Sequence, residues 1–121
     1  GRNLFGAKLS KANTLLEEAQ YAEAAADYEN IITRFPMEEK PYLSLVRAYW
    51  GNGQPDEALA AIQQGWDLNI GNAQYFLEAG QIYEQMSLMD QALQAYQAAL
   101  AINPDSAPAL EGIERLSGSD E

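Results

Sequence analysis

The sequence of 121 residues contains no cysteine and no histidine. Without cysteine the chain can form no disulfide, and without either residue type a zinc site is effectively excluded. The lack of histidine also removes the commonest general base. We therefore expect a protein that is not an enzyme and that uses no metal ion and no organic cofactor.

The remaining polar residues do not restore a catalytic or phosphate-binding motif. Glu17 and Glu18 could serve as an acid–base pair, but adjacent helical positions point to different faces. The segment Gly51–Gly53 is too short for a phosphate-binding loop, and no calcium-loop spacing occurs. No serine has a plausible activating partner.

Positive charge is scarce, with 7 basic against 18 acidic residues and a formal net charge of −11. Such a field favours solubility and repels nucleic acid and anionic membrane surfaces. No apolar run reaches the roughly 18 residues that membrane insertion needs. The chain begins with Gly1 and shows no signal segment, so we expect an excised or processed fragment. A cytoplasmic location is favoured, and a periplasmic or other extracytoplasmic one stays open.

Similar residues recur at steps of 34 along the chain, which is the spacing of a helical repeat. The clearest example is the stretch AYQAALAINP at 95–104, which has an echo two such steps upstream. The recurring sets are Ala12, Val46 and Gly80; Leu15, Tyr49 and Tyr83; Ala24, Ala58 and Ala92; Tyr28, Ile62 and Tyr96; and Pro36, Ile70 and Pro104.

Apolar residues within each step recur at spacings of three and four, which predicts amphipathic helices in pairs. One pair is divided at 51–55, where glycine ends a helix and Pro55 opens the next, and another near Ser87. No stretch shows the alternation of a β-strand. The predicted helices cover 3–18, 21–34, 39–51, 55–68, 73–86, 89–102 and 106–117.

The many small residues have a packing explanation. Gly80 and Ala92 allow two helix axes to approach closely, while Tyr83 and Tyr96 fill the remaining volume. Pro104 cannot continue a helix and marks the start of the next pair. One pair cannot bury its own apolar face, so several pairs must stack into a continuous core.

The third repeat, 73–106, resembles the tetratricopeptide repeat (TPR) family at every marked position, with Phe76, Ala79, Gly80, Tyr83, Ala92, Tyr96, Ala99 and Pro104. The second repeat, 39–72, matches with Tyr42, Leu45, Tyr49 and Ala58, and departs at Ile62, Gly65 and Ile70. The first repeat, 5–38, matches in its second half, with Tyr21, Ala24, Tyr28 and Pro36. Its first half is weak, since Lys8 stands where the family has an aromatic residue.

The resemblance implies an all-α fold, a right-handed superhelical array of antiparallel helix pairs with a C-terminal capping helix at about 106–117. It also implies a single TPR domain over 1–121. An unrelated helical bundle is the alternative.

In this family the first helix of each pair lines a concave, ligand-binding side, and the resemblance carries that role over to particular residues here. From the first repeat they are Leu9, Asn13 and Leu16. From the second they are Lys40, Leu43, Ser44, Arg47 and Trp50. From the third they are Gln74, Leu77, Glu78, Gln81 and Glu84.

Arg47 and Trp50 lie one helical turn apart, and both residue types are enriched in binding hot spots. The functional interpretation is that they form an interface anchor. The alternatives are that Trp50 packs into the turn beside Gly51, and that Arg47 pairs with Glu78 or Glu84.

One subclass of the family grips a C-terminal carboxylate with two lysines, an arginine and two asparagines. Asn13 matches one asparagine, but the other four positions hold Leu9, Ser44, Gln74 and Glu78. The required positive charges are absent, and Glu78 would repel a carboxylate. We therefore expect a ligand with apolar side chains and an acidic group near Arg47.

Two function classes follow. The first is a scaffold that binds a protein or peptide partner in the concave groove. The second is a structural or self-association domain of a larger protein, which would form homo-oligomers. An RNA-binding helical repeat is disfavoured by the net charge and by the lack of a basic groove.

Overall fold

The computed structural model describes residues 2–118 of the chain, and within them it contains helices but no strand. The helices are α1 (Arg2–Glu17), α2 (Tyr21–Arg34), α3 (Lys40–Gly51), α4 (Pro55–Asp67), α5 (Ala73–Gln85), α6 (Met89–Ile102) and α7 (Ala107–Gly118). These bounds confirm the all-α prediction, and each predicted end lies within one residue of the observed one. No helix in the described part of the chain has the length and apolar character to span a membrane.

The helices form two compact units that divide after Ile70. The N-terminal unit holds α1–α4, and the C-terminal unit holds α5–α7. Within each unit consecutive helices pack on one another, and the first helix also contacts the third, so α1 touches α3 and α5 touches α7. The single-domain interpretation stays a prediction.

The first helix of every predicted repeat ends in the same way. Ala19, Gly53 and Ser87 lie at steps of 34 and all have left-handed backbone angles, with φ of 59°, 71° and 62°. At each site the following residue donates its N–H to the carbonyl five residues earlier, as Gln20 does to Leu15 at 2.8 Å. This is the Schellman termination. Only glycine adopts it without steric cost, so Ala19 and Ser87 are strained.

Two of the second helices end in a different way. α2 and α6 each stop with a single residue left before a proline. Those residues, Phe35 and Asn103, have non-helical backbone angles, with φ of −132° and −128° and ψ of 64° and 90°. The proline forces this because its ring disfavours a helical conformation in the preceding residue. In α4 the proline is replaced by Ile70, and the helix ends instead on a left-handed Asn69.

The core of the N-terminal unit combines large side chains with small ones. Tyr28, Tyr42 and Ile62 are fully or almost fully buried. Ala24 and Ala58, the repeat equivalents of Ala92, have no exposed surface. Burying each large apolar side chain contributes about 1.5–3 kcal/mol before conformational entropy is counted.

The core of the C-terminal unit is built around the ring of Tyr96, which is fully buried. The ring packs against Gly80 of α5 and Gly112 of α7. A Cβ atom at these glycines would lie 2.8 Å and 2.5 Å from ring carbons of Tyr96. Both positions therefore require glycine for lack of space, and their helical backbone angles would suit any residue.

Candidate functional site

In the N-terminal unit a polar cluster surrounds the hydroxyl of Tyr28, which reaches from α2 towards α1 and α3. The hydroxyl donates a hydrogen bond of 2.5 Å to Oδ1 of Asn13 on α1. Ser44 on α3 hydrogen-bonds the same hydroxyl, and the charge of Arg47 acts on it. Two residues that the sequence placed in the groove, Asn13 and Ser44, thus hydrogen-bond one hydroxyl, and a third, Arg47, acts on it through its charge.

The electrostatics of this cluster show two opposing effects. Burial raises the pKa of Tyr28, while the Ser44 hydroxyl and the Arg47 charge offset part of that rise. The phenol stays neutral at physiological pH and acts as a hydrogen-bond donor. Because Asn13 accepts this hydrogen bond through its side-chain oxygen, its side-chain NH₂ group can donate a hydrogen bond to a ligand.

Apolar side chains flank the polar cluster. Leu9 and Leu16 lie on the Asn13 side of α1, one turn to either side, and both are half-buried. On α3, Leu43 and Trp50 are half-buried, so part of each side chain stays accessible. Two exposed basic residues of α3, Lys40 and Arg47, complete the set. We call this set the α1–α3 face; its members are Leu9, Asn13, Leu16, Lys40, Leu43, Ser44, Arg47 and Trp50.

The turn that follows Trp50 is packed by another residue. A Cβ atom at Gly51 would lie 2.7 Å from the ring of Tyr21, so that ring lies directly against the end of α3. The assignment of Trp50 to a binding surface stays a prediction.

The other sequence-predicted site residues belong to the C-terminal unit. Leu77 is buried, with 9% of its surface exposed, because it lies in the apolar stretch of α5 that packs into the core. Glu78 is half-buried and accepts a hydrogen bond of 2.6 Å from the amide of Gln74. Gln81 is exposed. Leu77 therefore offers little area to a partner, and we leave it out of the proposed surface.

A second tyrosine-centred cluster occurs in the C-terminal unit. Tyr96 donates its hydroxyl proton to Oε1 of Glu84 at 2.6 Å. Arg115 of α7 binds the same carboxylate at two points, with Nη2 2.9 Å from Oε1 and Nε 3.0 Å from Oε2. Glu84, considered above as a partner of Arg47, is therefore bound by residues of its own unit.

The ion pair and the buried ring shift the acidity of both partners. Hydrogen bonds from Arg115 and then from Tyr96 lower the pKa of Glu84. Burial and the neighbouring Glu84 carboxylate raise the pKa of Tyr96 to about 12. At physiological pH the cluster therefore consists of a carboxylate, a guanidinium and a neutral phenol.

Arg115 is not among the site residues predicted from the sequence, which assigns its segment only to a capping helix. A signal was present, because Arg115 follows Arg47 by two repeat steps and Tyr96 follows Tyr28 by the same interval. Each arginine is thus equally far along the chain from its tyrosine. Within residues 2–118 no group of three or more acidic side chains is arranged to hold a metal ion.

A comparison with protein families bears on this architecture. A family model described as tetratricopeptide repeat matches residues 43–107, just over half of the chain. The chain belongs to the tetratricopeptide repeat family. A second model, described as bacterial transcriptional activator domain, matches residues 4–71 of this TPR chain.

One curated relative of this TPR chain is the Hsp70-Hsp90 organizing protein of Triticum aestivum. It is 26% identical over 105 residues, which cover 87% of this chain and 18% of the relative. The chain spans about a fifth of the length of the curated relatives it matches.

Solved structures resemble the TPR chain over almost its whole length. The second TPR domain of human RPAP3, in complex with the HSP70 peptide SGPTIEEVD, has a TM-score of 0.82 at 17% identity and covers 97% of this chain and 98% of that one. The Yersinia enterocolitica type III secretion chaperone SycD, in complex with a peptide of the translocator YopD, has a TM-score of 0.85 at 15% identity, covering 96% and 94%. These likenesses show the fold, an all-α helical-repeat solenoid.

Proposed function

We propose that this TPR chain is a non-enzymatic interaction module that binds a peptide or a protein segment on its α1–α3 face. The observation that carries the proposal is that Asn13 and Ser44 hydrogen-bond the Tyr28 hydroxyl, on which the charge of Arg47 also acts. A network of this kind holds polar side chains from two helices in place before a ligand arrives, which reduces the entropy lost on binding.

The neighbours of this fold support a peptide ligand. SycD and the second TPR domain of RPAP3 were each solved with a peptide bound. A helical-repeat scaffold of this size is therefore sufficient to hold a short segment of another protein, and the same use fits the present chain.

The composition of the α1–α3 face indicates what the segment carries. Leu9, Leu43 and Trp50 offer half-buried apolar surface, which suits apolar anchors of the partner. Lys40 and Arg47 place two of the chain's seven basic residues on this face, although the net charge is −11. We therefore propose an amphipathic segment with an acidic side chain near Arg47.

A C-terminal carboxylate clamp does not fit these residues. The positions that carry lysine or arginine in that subclass hold Leu9, Gln74 and Glu78 here. Gln74 and Glu78 are also joined by a hydrogen bond of 2.6 Å, so their polar groups satisfy each other. The proposed partner is therefore recognised through an internal segment rather than through its chain end.

The test uses peptides selected from a random displayed library against the wild-type chain. The selected peptides should combine leucine, methionine or phenylalanine with aspartate or glutamate. Calorimetry should show Arg47→Glu and Trp50→Ala weakening the best peptide by about tenfold or more, as expected for hot-spot residues.

Two matched substitutions control for charge and for the loss of an indole ring. Arg34→Glu makes the same charge change at an exposed position of α2, and Trp66→Ala removes the other half-buried tryptophan, on α4. Circular dichroism checks that all four variants fold. Equal weakening by the controls, or unchanged affinity in Arg47→Glu, would remove the α1–α3 face as the site.

Self-association is the competing outcome, and it is measured in the same samples. Light scattering across a concentration series should give a constant monomer mass if the face serves a separate partner. A mass that rises with concentration in the wild type but not in Arg47→Glu would assign the face to a second copy of the chain.

A further inference from the structure

Arg115 is held by Glu84 along only one edge of its guanidinium group. The two contacts run from Nε to Oε2 and from Nη2 to Oε1, at 3.0 Å and 2.9 Å. A two-point contact of this kind fixes the plane of the guanidinium as well as its position. Arg115 is therefore oriented before any ligand is present.

The second edge of the same guanidinium takes no part in the contact with Glu84, although Arg115 also hydrogen-bonds Tyr96. An arginine side chain carries five N–H groups, and the bonds to Glu84 use one on Nε and one on Nη2. The N–H groups of Nη1 and the outer N–H of Nη2 take no part in them. The Arg115 side chain is 55% exposed, against 23% for Glu84, so the outer part of the pair is accessible.

This pair borders an open hollow of about 400 Å³ within the C-terminal unit. Its walls are formed by Gln81, Glu84 and Gln85 of α5, Tyr96 of α6 and Arg115 of α7. The hollow is large enough for an amino-acid side chain, and it is distinct from the α1–α3 face.

The hydrogen bonds already made within the hollow determine which ligand groups it can bind. Glu84 receives bonds from Tyr96 and twice from Arg115, and Tyr96 gives its only hydroxyl proton to Glu84. The carboxylate is thus occupied as an acceptor. Arg115 also hydrogen-bonds Tyr96, so two of its five N–H groups remain as donors for a ligand. A donor pair of this geometry matches the two oxygens of a carboxylate.

We propose that Arg115 binds a carboxylate of a partner peptide through its outer edge, and that Glu84 is the residue that positions it. The proposal concerns the C-terminal unit and does not depend on the proposed function of the α1–α3 face. The carboxylate comes from an aspartate or glutamate side chain or from a chain terminus, and the experiment separates these two sources.

The experiment is an NMR titration of the ¹⁵N-labelled chain with three capped tripeptides. The first is acetyl-Ala-Glu-Ala-amide, the second is acetyl-Ala-Gln-Ala-amide, and the third is acetyl-Ala-Ala-Ala with a free C-terminal carboxylate. The readouts are the Nε–H resonance of Arg115 and the backbone amides of Gln81 and Gln85. The Nε–H resonance of Arg34, exposed at the end of α2, serves as the internal control.

We expect a saturable shift at Arg115, Gln81 and Gln85 with at least one carboxylate tripeptide, and roughly tenfold weaker binding of the glutamine tripeptide. The better of the two carboxylate probes identifies the source, and either result supports the proposal. Arg115→Gln should abolish the shifts at Gln81 and Gln85. Arg115→Lys keeps the charge but lacks the paired donors, so binding should weaken by about fivefold.

Equal shifts with the glutamine tripeptide would overturn the proposal, as would unchanged binding in Arg115→Gln. Both variants alter an exposed side chain, and the backbone spectrum shows directly whether they fold. Loss of peptide binding by Arg47→Glu, with the tripeptide shifts at Arg115 intact, would separate this site from the α1–α3 face.

Discussion

In each of the two units of the molecule the charge of an arginine on the next helix acts on the hydroxyl of a buried tyrosine, and the surroundings of the two residues differ. The residues are Tyr28 and Arg47 in the N-terminal unit, and Tyr96 and Arg115 in the C-terminal unit. The same spacing along the chain separates the partners in both units. The repeat therefore reproduces a local arrangement of side chains as well as the helices.

The residue that accepts the hydrogen bond of the tyrosine hydroxyl differs between the units. It is the neutral Asn13 in one and the charged Glu84 in the other. These two residues do not occupy equivalent repeat positions, because the equivalent of Asn13 is Gln81, one turn before Glu84. The spacing of tyrosine and arginine is thus kept, while the acceptor of the hydroxyl proton changes from a neutral amide to a carboxylate.

A second difference concerns how closely the next helix approaches the tyrosine ring. Ser44 of α3 and Gly112 of α7 lie at equivalent positions, two repeat steps apart. Only the C-terminal unit needs glycine there, because the ring of Tyr96 occupies the space of a Cβ atom. The N-terminal unit accommodates a side chain and uses its hydroxyl as a hydrogen-bond partner of Tyr28.

Exchanging these two residues should give the largest effect. Gly112→Ser forces a Cβ atom to within 2.5 Å of the Tyr96 ring. Because the ring is fully buried and cannot move aside, we expect the free energy of unfolding to fall by about 2 kcal/mol. The reverse change, Ser44→Gly, should cost less, about 1–1.5 kcal/mol, through helix propensity and the lost hydrogen bond.

Urea denaturation measures both exchange variants against the wild type. Gly6→Ala is the control, since a Cβ atom there meets nothing within 4 Å. It should raise the stability by up to about 1 kcal/mol through helix propensity alone. A Gly112→Ser variant as stable as the wild type would contradict the packing assigned to Tyr96.

Removing the hydroxyls should have a smaller effect that depends on pH. Tyr28→Phe and Tyr96→Phe each lose one hydrogen bond, so each should cost about 1 kcal/mol near pH 7. The pKa of Tyr96 is raised to about 12 from an ordinary value of 10. Its stabilising contribution is therefore complete below pH 10 and is lost as the pH rises towards 12.

The measurement is the difference in unfolding free energy between wild type and each variant from pH 8 to pH 12. For Tyr96→Phe the advantage of the wild type should shrink above pH 10. For Tyr28→Phe it should shrink less, because Ser44 and Arg47 offset part of the rise in the pKa of Tyr28. A difference that stays constant with pH for Tyr96→Phe would refute the raised pKa that burial and Glu84 give to this phenol.

The smallest predicted effect is a gain at the helix ends, and it should be alike in both units. Ala19→Gly and Ser87→Gly remove the strain of a left-handed φ near 60°. Relief of this strain should raise the free energy of unfolding by about 0.5–1 kcal/mol in each variant. The greater conformational entropy of glycine in the unfolded chain reduces that gain. Thermal unfolding compares them with Ala26→Gly, a mid-helix control on α2, which should lose stability.

Much of the fold could be predicted because its signals are local. The three- and four-residue spacing of apolar residues, Pro55 at a helix start and the break near Ser87 located every helix end to within one residue. The unusual ending of α4 is also explained locally, since Ile70 replaces a proline and Asn69 takes the left-handed position. Such features depend on a few neighbouring residues, which sequence alone displays.

The candidate site was less accessible to sequence reasoning. The family resemblance carried over Asn13 and Ser44, which hydrogen-bond the Tyr28 hydroxyl, and Arg47, whose charge acts on it, but it also included Leu77, which is buried. It did not include Arg115, although its position two repeat steps after Arg47 was visible. A helical period assigns a face, whereas exposure depends on what the neighbouring helices cover.

The sequence by itself therefore determined the number and limits of the helices, the repeat, and the family. The tertiary structure decided which groups meet: that Tyr28 binds Asn13, and that Glu84 binds both Tyr96 and Arg115. The physical reason is the separation along the chain between the residues that interact. Helix formation follows from contacts within about four residues, while the Glu84–Arg115 pair joins residues 31 positions apart, on helices whose packing brings them together.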